Sequence, residues 1–258
     1  MMVTWDDFVW FAAAAVALWA AGAVAAFRRR GGWAMAATVA GICVYAAFVA
    51  AFWAGLQSPP LRTAGETRLW YALFVVVAGL ATYVRWRYRW ILLFTTVMAA
   101  VFAAMNILKP EIHDQTLMPA LQSAWFVPHV TVYMFSYGVL GCAFLLGVAG
   151  MVARSTDYLD TADSMVYVGT AFLTLGMLSG ALWAKEAWGD YWSWDPKETW
   201  AAVTWGIYLI YIHLRLRSRD SHPRLAALLL VAGFAGLQMC WYGVGLLPSA
   251  QDSLHVYS

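Results

Sequence analysis

Eight stretches of this 258-residue chain run apolar long enough to cross a bilayer as helices, with short polar breaks between them. Their cores are residues 8–27, 33–55, 69–84, 90–108, 126–152, 163–183, 200–215 and 225–247. A hydrocarbon layer of about 30 Å takes about 20 helical residues. The expected fold is therefore all-α: a polytopic integral membrane protein with eight transmembrane helices. The polar breaks fall into two kinds. One alternate set holds Arg28, Arg29, Arg30, Arg85, Arg87, Arg89, Arg154, Arg215, Arg217, Arg219 and Arg224; the other holds Arg62, Arg68, Lys109, Lys185 and Lys197. Eleven basic residues against five put the first set in the cytoplasm, which places both termini on the extracytoplasmic side. Asp6 and Asp7 stand where a cleavable signal peptide would carry a basic region, so the first run is expected to be a span.

Composition narrows the class further. Hydrophobic residues make up 63% of the chain and charged residues 12%, about half the charge of a soluble domain. The net charge of +2 carries no argument for nucleic acid, and the arginine clusters are explained as topology signals and lipid contacts. Pro59-Pro60 and Lys109-Pro110 mark bends in the loops 56–68 and 109–125. With no internal repeat or low-complexity linker in sight, residues 1–258 read as a single integral membrane domain. Cys43, Cys142 and Cys240 each sit inside an apolar run without Cys-x-x-Cys spacing, as packing residues would. Gly176 and Gly180, with Gly169 seven residues before Gly176, suit close helix packing and are expected to draw the sixth and seventh helices together.

The break at 183–200 is unlike the others. It holds five tryptophans and Tyr191, mixed with Lys185, Lys197 and four acids. Aromatic belts at membrane interfaces explain one or two such rings per helix end. Five in one connection suggest a flat apolar surface with charged edges, the complement of haem, a large aromatic plane with two carboxylates on one side. Trp188, Trp192 and Trp194 would stack on such a ring, while Lys185 or Lys197 would pair with its carboxylates. Asp195-Pro196-Lys197-Glu198 has a plainer reading: an N-cap, a proline at N1 and a glutamate at N3 open a helix with a capping box.

Five histidines complete the candidates. His129 begins the fifth span and His255 follows the eighth, both on the face of the tryptophan segment, and neutral imidazole is a good axial ligand for haem iron. Spacing alone leaves idle surface histidines as the more ordinary reading. His213 lies 13 residues beyond Trp200, about 20 Å along a helix, at a depth where an ionisable residue suggests function but where nearby Arg215 also allows an interfacial residue. His113 and His222 read as solvated loop residues. His129, Tyr133 and Tyr137, with Ser136 adjacent, share one helical face, either as interhelical glue or as a lining that orients the imidazole.

The run Trp188-Gly-Asp-Tyr-Trp192-Ser-Trp194-Asp195-Pro-Lys-Glu-Thr-Trp200 resembles the tryptophan-rich "WWD" signature of haem-handling cytochrome c biogenesis proteins, in their CcsA (ResC) branch. Trp125-Phe-Val-Pro-His129-Val and Leu254-His255 extend the resemblance, as does Leu61-Arg-Thr-Ala-Gly-Glu-Thr-Arg-Leu-Trp-Tyr71 in the first half. It implies that His129 and His255 ligate the iron of an external haem b. It also implies that His213 ligates a transmembrane haem with a second histidine from a CcsB (ResB) partner subunit. The implied function is c-type cytochrome biogenesis (System II). Haem is conveyed outward and presented for thioether attachment to the Cys-x-x-Cys-His segment of apocytochrome c, with synthetase activity only alongside that partner. A bacterial cytoplasmic membrane is the implied location, with a plastid thylakoid membrane as the lesser alternative. Two other classes stand beside this one. A b-haem subunit of a quinol oxidoreductase would place histidine pairs at two depths within spans, and a permease would show broken helices or midplane charges.

Overall fold

A computed structural model of the chain describes residues 3–56, 59–113, 119–218 and 221–248. Eight α-helices carry the fold: α1 (Phe8–Phe27), α2 (Gly31–Gly55), α3 (Ala64–Trp86), α4 (Arg89–Leu108), α5 (Phe126–Ala153), α6 (Asp157–Trp188), α7 (Pro196–Arg217) and α8 (Pro223–Trp241). Short 3-10 turns at Trp5–Asp7, Pro110–His113, Pro119–Gln122 and Gly243–Leu246 fill several of the breaks, and no strand occurs among the described residues. All helices but α7 are long and apolar enough to cross a membrane. At 22 residues, α7 is about 33 Å long, but charges at both ends and three tyrosines and tryptophans along its middle dilute it. It packs lengthwise on α8 and along α6, so the protein is polytopic in the way the apolar runs indicated.

Packing divides the chain into two compact units, Met1–Leu117 and Met118–Ser258. In the first, α1 pairs with α2 and α3 with α4, and the bundle closes through α1–α4 and α2–α3 contacts. Its core is aromatic: Phe8, Trp19, Tyr45, Phe48, Phe52 and Tyr71 are all buried. In the second unit α5 pairs with α6 and α7 with α8, closed by α5–α8 and α6–α7. The same neighbour order recurs, although no repeat was legible in the sequence. A further parallel is local. The third helix of each unit opens with a capping box, from Thr63 and Glu66 in α3 and from Asp195 and Glu198 in α7.

The helix ends depart from the apolar runs for identifiable reasons. The helix α6 runs on to Trp188 because Ala184, Lys185, Glu186 and Ala187 are good helix formers, and it stops where Gly189 takes φ 94°. Its 32 residues reach about 48 Å, beyond the thickness of a hydrocarbon layer. Much of what reads as a loop at 183–200 is therefore helical, and the true connection is 189–195. The last helix is shorter than its run. It ends at Trp241 and gives way to the turn at Gly243–Leu246. On the arginine-rich side, Arg29, Arg87 and Arg154 adopt left-handed backbone with φ of 58°, 61° and 53°. Glycine fits such positions at lower conformational cost, so arginine there accords with a role set by its charge.

Candidate functional site

The second unit gathers its chemistry where α5 and α6 approach the start of α7. His129 lies in the first turn and a half of α5, just after Pro128, where a missing backbone donor costs the helix nothing. Its Nδ1 is 2.8 Å from the carbonyl oxygen of Gly176 on α6. A carbonyl only accepts, so Nδ1 bears the proton and the lone pair resides on Nε2, the tautomer of a metal-binding imidazole. The ring stacks on Trp183, with centroids 5.3 Å apart and planes 25° from parallel. Tyr133, one turn along α5, meets it edge-on at 4.8 Å.

Two glycines make this seat possible. A Cβ at Gly180 would stand 2.6 Å from Cε1 and 2.7 Å from Nδ1 of His129. One at Gly176 would stand 2.6 Å from the Tyr133 ring. Gly169 makes the same room for Leu140. The small-residue stripe thus seats α5 on α6, not α6 on α7 as the sequence suggested; spacing reveals a flat face but not its occupant. Trp183 is itself fixed. It is 1% exposed, its Nε1 donates to the Ala120 carbonyl at 2.7 Å, and Trp188 closes on it in a T-shaped contact at 4.8 Å.

The connection to α7 carries the remaining aromatic candidates. Trp192 and Trp194 meet at 5.7 Å in a perpendicular pair. Trp194 is 69% exposed and sits at φ 59°, a left-handed conformation that a bulky residue holds only under local constraint. Lys185 is exposed, donates to the Gly189 carbonyl and lies 5.4 Å over the Tyr191 ring. The capping box predicted from the sequence is present. Asp195 Oδ1 accepts from the Lys197 backbone N–H at 2.8 Å. Glu198 Oε2 accepts from the N–H groups of Ser193 at 2.8 Å and Asp195 at 3.1 Å. Both acids are buried and bound to backbone, which is where such carboxylates stabilise a helix start. Lys197 is half-buried at the start of α7. Burial pushes its ammonium below the usual lysine range, against smaller opposing effects of Cys240 and Asp195. The Cys240 thiol donates to the Lys197 carbonyl at 3.5 Å.

His213 stands apart, exposed near the far end of α7. Its Nδ1 is 2.8 Å from the Leu209 carbonyl, so Nε2 again carries the lone pair and is directed away from the helix. His255 and Leu254 lie outside the described residues. His222 is exposed at the N-cap of α8. In the first unit, His113 is no solvated loop residue. It stacks flat on Trp5, centroids 3.7 Å apart and planes 3° from parallel, and its Nε2 is buried without a hydrogen-bond partner. Burial, then Arg68, lowers its basicity, with Glu111 and a bond to the Asn106 backbone opposing. Trp5 comes from the other end of that unit's sequence, a contact that spacing does not reveal.

Sequence reasoning also missed a buried ion pair. Arg215, read as a topology signal, is 3% exposed. Its Nε lies 2.9 and 3.1 Å from the two carboxylate oxygens of Asp163, and its Nη2 reaches Asp163 at 2.9 Å and Asp160 at 2.7 Å. The signal was Asp163, an acid inside the expected sixth span.

The His129 imidazole is thus held by the Gly176 carbonyl and backed by the Trp183 indole, while the Lys185 amine lies over Tyr191. Over residues 61–250 the sequence matches the family described as "Cytochrome C assembly protein". It is 37% identical over 175 residues to "Cytochrome c biogenesis protein CcsA" of Chlamydomonas reinhardtii, covering 63% of this chain and 48% of that protein. With the CcsA protein of Phalaenopsis aphrodite subsp. formosana it shares 31% over 257 residues, covering 78% of this chain and 80% of that one. A solved structure, "Cytochrome c Heme Lyase CcmF", superposes with a TM-score of 0.70 at 16% identity, over 97% of this chain and 52% of that chain. This likeness speaks for the fold alone. The chain spans about half the length of the Chlamydomonas relative.

Proposed function

The chain belongs to the cytochrome c assembly protein family, in its CcsA branch, and from that premise we propose that it serves c-type cytochrome biogenesis by binding haem b and presenting it for attachment. Haem is the cargo here. His129 and His255 ligate its iron from opposite sides on the extracytoplasmic face, and Trp188, Trp192 and Trp194 line its plane. Lys185 meets a propionate, with Lys197 as the more buried alternative. His213 holds haem earlier, within the membrane, against a histidine of a CcsB-type partner. Both compact units act as one haem-handling domain in a bacterial cytoplasmic membrane, termini outside.

The observation that carries this reading is the seat of His129. Ring stacking on Trp183 and the Nδ1 bond to Gly176 hold the imidazole in one orientation and one tautomer. Fixing a ligand before it binds saves the ordering cost that a mobile side chain would incur. The chemistry that follows belongs to haem and the apocytochrome. Each cysteine thiol adds across a vinyl group, forming one S–C and one C–H bond with no net oxidation. The protein supplies position and iron ligation and keeps side reactions away.

Co-expression of the chain with a CcsB-type partner and an apocytochrome c tests the proposal, scoring covalent haem on the cytochrome. The proposal expects attachment with the native chain and none with His129→Ala. Equal attachment by both would exclude the His129 site.

A further inference from the structure

We propose that Arg217 is the residue that grips a haem carboxylate at the membrane-embedded site, a role that rests on the reading of His213 as an iron ligand. The arginine-rich end of α7 contains two arginines in opposite settings. Arg215 is buried against Asp163 and Asp160 of α6, and Tyr211 one turn before it donates to the same Asp163 at 2.7 Å. That lock sets the rotation of α7. Residues two apart on a helix lie about 200° apart around the axis, and residues four apart share a face. With Arg215 turned inward, His213 and Arg217 are both turned outward, and both are exposed. Among the described residues no carboxylate pairs with Arg217.

Between them lies a shallow, open groove of about 370 Å³ lined by Leu209, Ile210, Leu214 and Ser218 of the same helix end. Its size is at the lower end of ligand-binding cavities, and its open side suits a ligand that is also covered by another helix. The Nδ1 bond to Leu209 directs Nε2 of His213 outward, so a porphyrin plane across the iron–nitrogen bond runs alongside α7 over the leucines. Carboxylates are costly in hydrocarbon and so turn toward the polar end of the helix. There Arg217 stands one turn, about 6 Å, further along, with a planar guanidinium suited to a carboxylate. The vinyl edge, opposite the carboxylates, then leads toward the middle of the membrane.

The test compares haemin with haemin dimethyl ester, which lacks both carboxylates, as titrants of the full chain in nanodiscs. The background is His129→Ala with His255→Ala, so that the outer site does not contribute. The intact Arg217 background should bind haemin about tenfold more tightly than the diester, the scale of one charge-assisted hydrogen bond. Arg217→Gln should lose that preference while binding the diester unchanged, and Arg217→Lys should recover part of it. A preference for the acid that survives in Arg217→Gln overturns the proposal. His213→Ala serves as the second arm. Loss of the imidazole-ligated spectrum upholds the site itself, so that an Arg217 failure then removes the grip alone. An unchanged spectrum in His213→Ala removes the iron site and the proposal with it.

Discussion

Gly180→Ala places a methyl group where the His129 ring now lies. The added carbon would stand 2.6 Å from Cε1 and 2.7 Å from Nδ1, roughly 1 Å inside ordinary carbon–carbon contact. Either α5 and α6 separate or the imidazole tilts away from its bond to Gly176. Overpacking of this kind costs about 1–3 kcal/mol, and loss of the hydrogen bond about 0.5–1.5 kcal/mol. For ligation the displacement matters more than the stability, because a misplacement of about 1 Å can lower a geometry-dependent rate about a hundredfold. Gly169→Ala is the matched control. Its methyl would stand 2.5 Å from the Leu140 side chain at the same helix interface, three turns away from the histidine. The assay measures thermal stability, the haem absorption spectrum and covalent attachment for both variants. Similar stability losses are expected, with an altered spectrum and about a hundredfold slower attachment in Gly180→Ala only. If Gly169→Ala impairs ligation equally, or Gly180→Ala retains the native spectrum, the seat does not position the ligand.

Asp195→Ala should destabilise the chain by about 0.5–2 kcal/mol through loss of the α7 cap, lowering accumulation in the membrane while haem per folded molecule stays unchanged; a colourless protein at normal levels would give Asp195 a place at the haem. Trp194→Gly should relieve a left-handed backbone strain of about 1 kcal/mol yet weaken haem binding, measured by thermal melting beside haem titration, and a gain in both would remove Trp194 from the platform. His113 predicts a pH dependence. Its folded-state affinity for protons is depressed, so below about pH 6.5 the unfolded chain binds a proton that the folded chain resists, and stability falls as pH falls. Melting temperatures at pH 7.5 and 5.5 should differ less in His113→Gln than in the native chain, and an equal difference would mean that the Trp5 stack carries no titration.

Local features of the chain were legible in the sequence and non-local ones were not. Apolar runs located every α-helix because bilayer thickness sets their length. The cap at Asp195 was legible because its partners lie within three residues. The end of α6 was misjudged because Trp183 and Trp188 marked a membrane surface, whereas Gly189, not polarity, ends the helix. Gly176 and Gly180 announced a close approach without naming α5 as the partner. His129 was found as a ligand candidate, but Trp183 and the Gly176 carbonyl, which fix its orientation, come from another helix. The same holds for His113, buried by Trp5 from the far end of its unit. It holds too for Arg215, whose charge matched a topology rule until Asp163 was seen beside it.

The central claim is that His129 and His255 ligate one iron from opposite faces. The most direct measurement is the absorption spectrum of the chain purified with its haem, for the native protein, His129→Ala, His255→Ala and the double variant, alongside cytochrome maturation. The native chain should show low-spin, six-coordinate haem. Each single variant should hold five-coordinate or weakly bound haem, partly restored by added imidazole. Maturation should be lost in each single variant, and the double variant should be little worse, as expected for two parts of one unit. Low-spin spectra unchanged in both single variants would take these histidines off the iron.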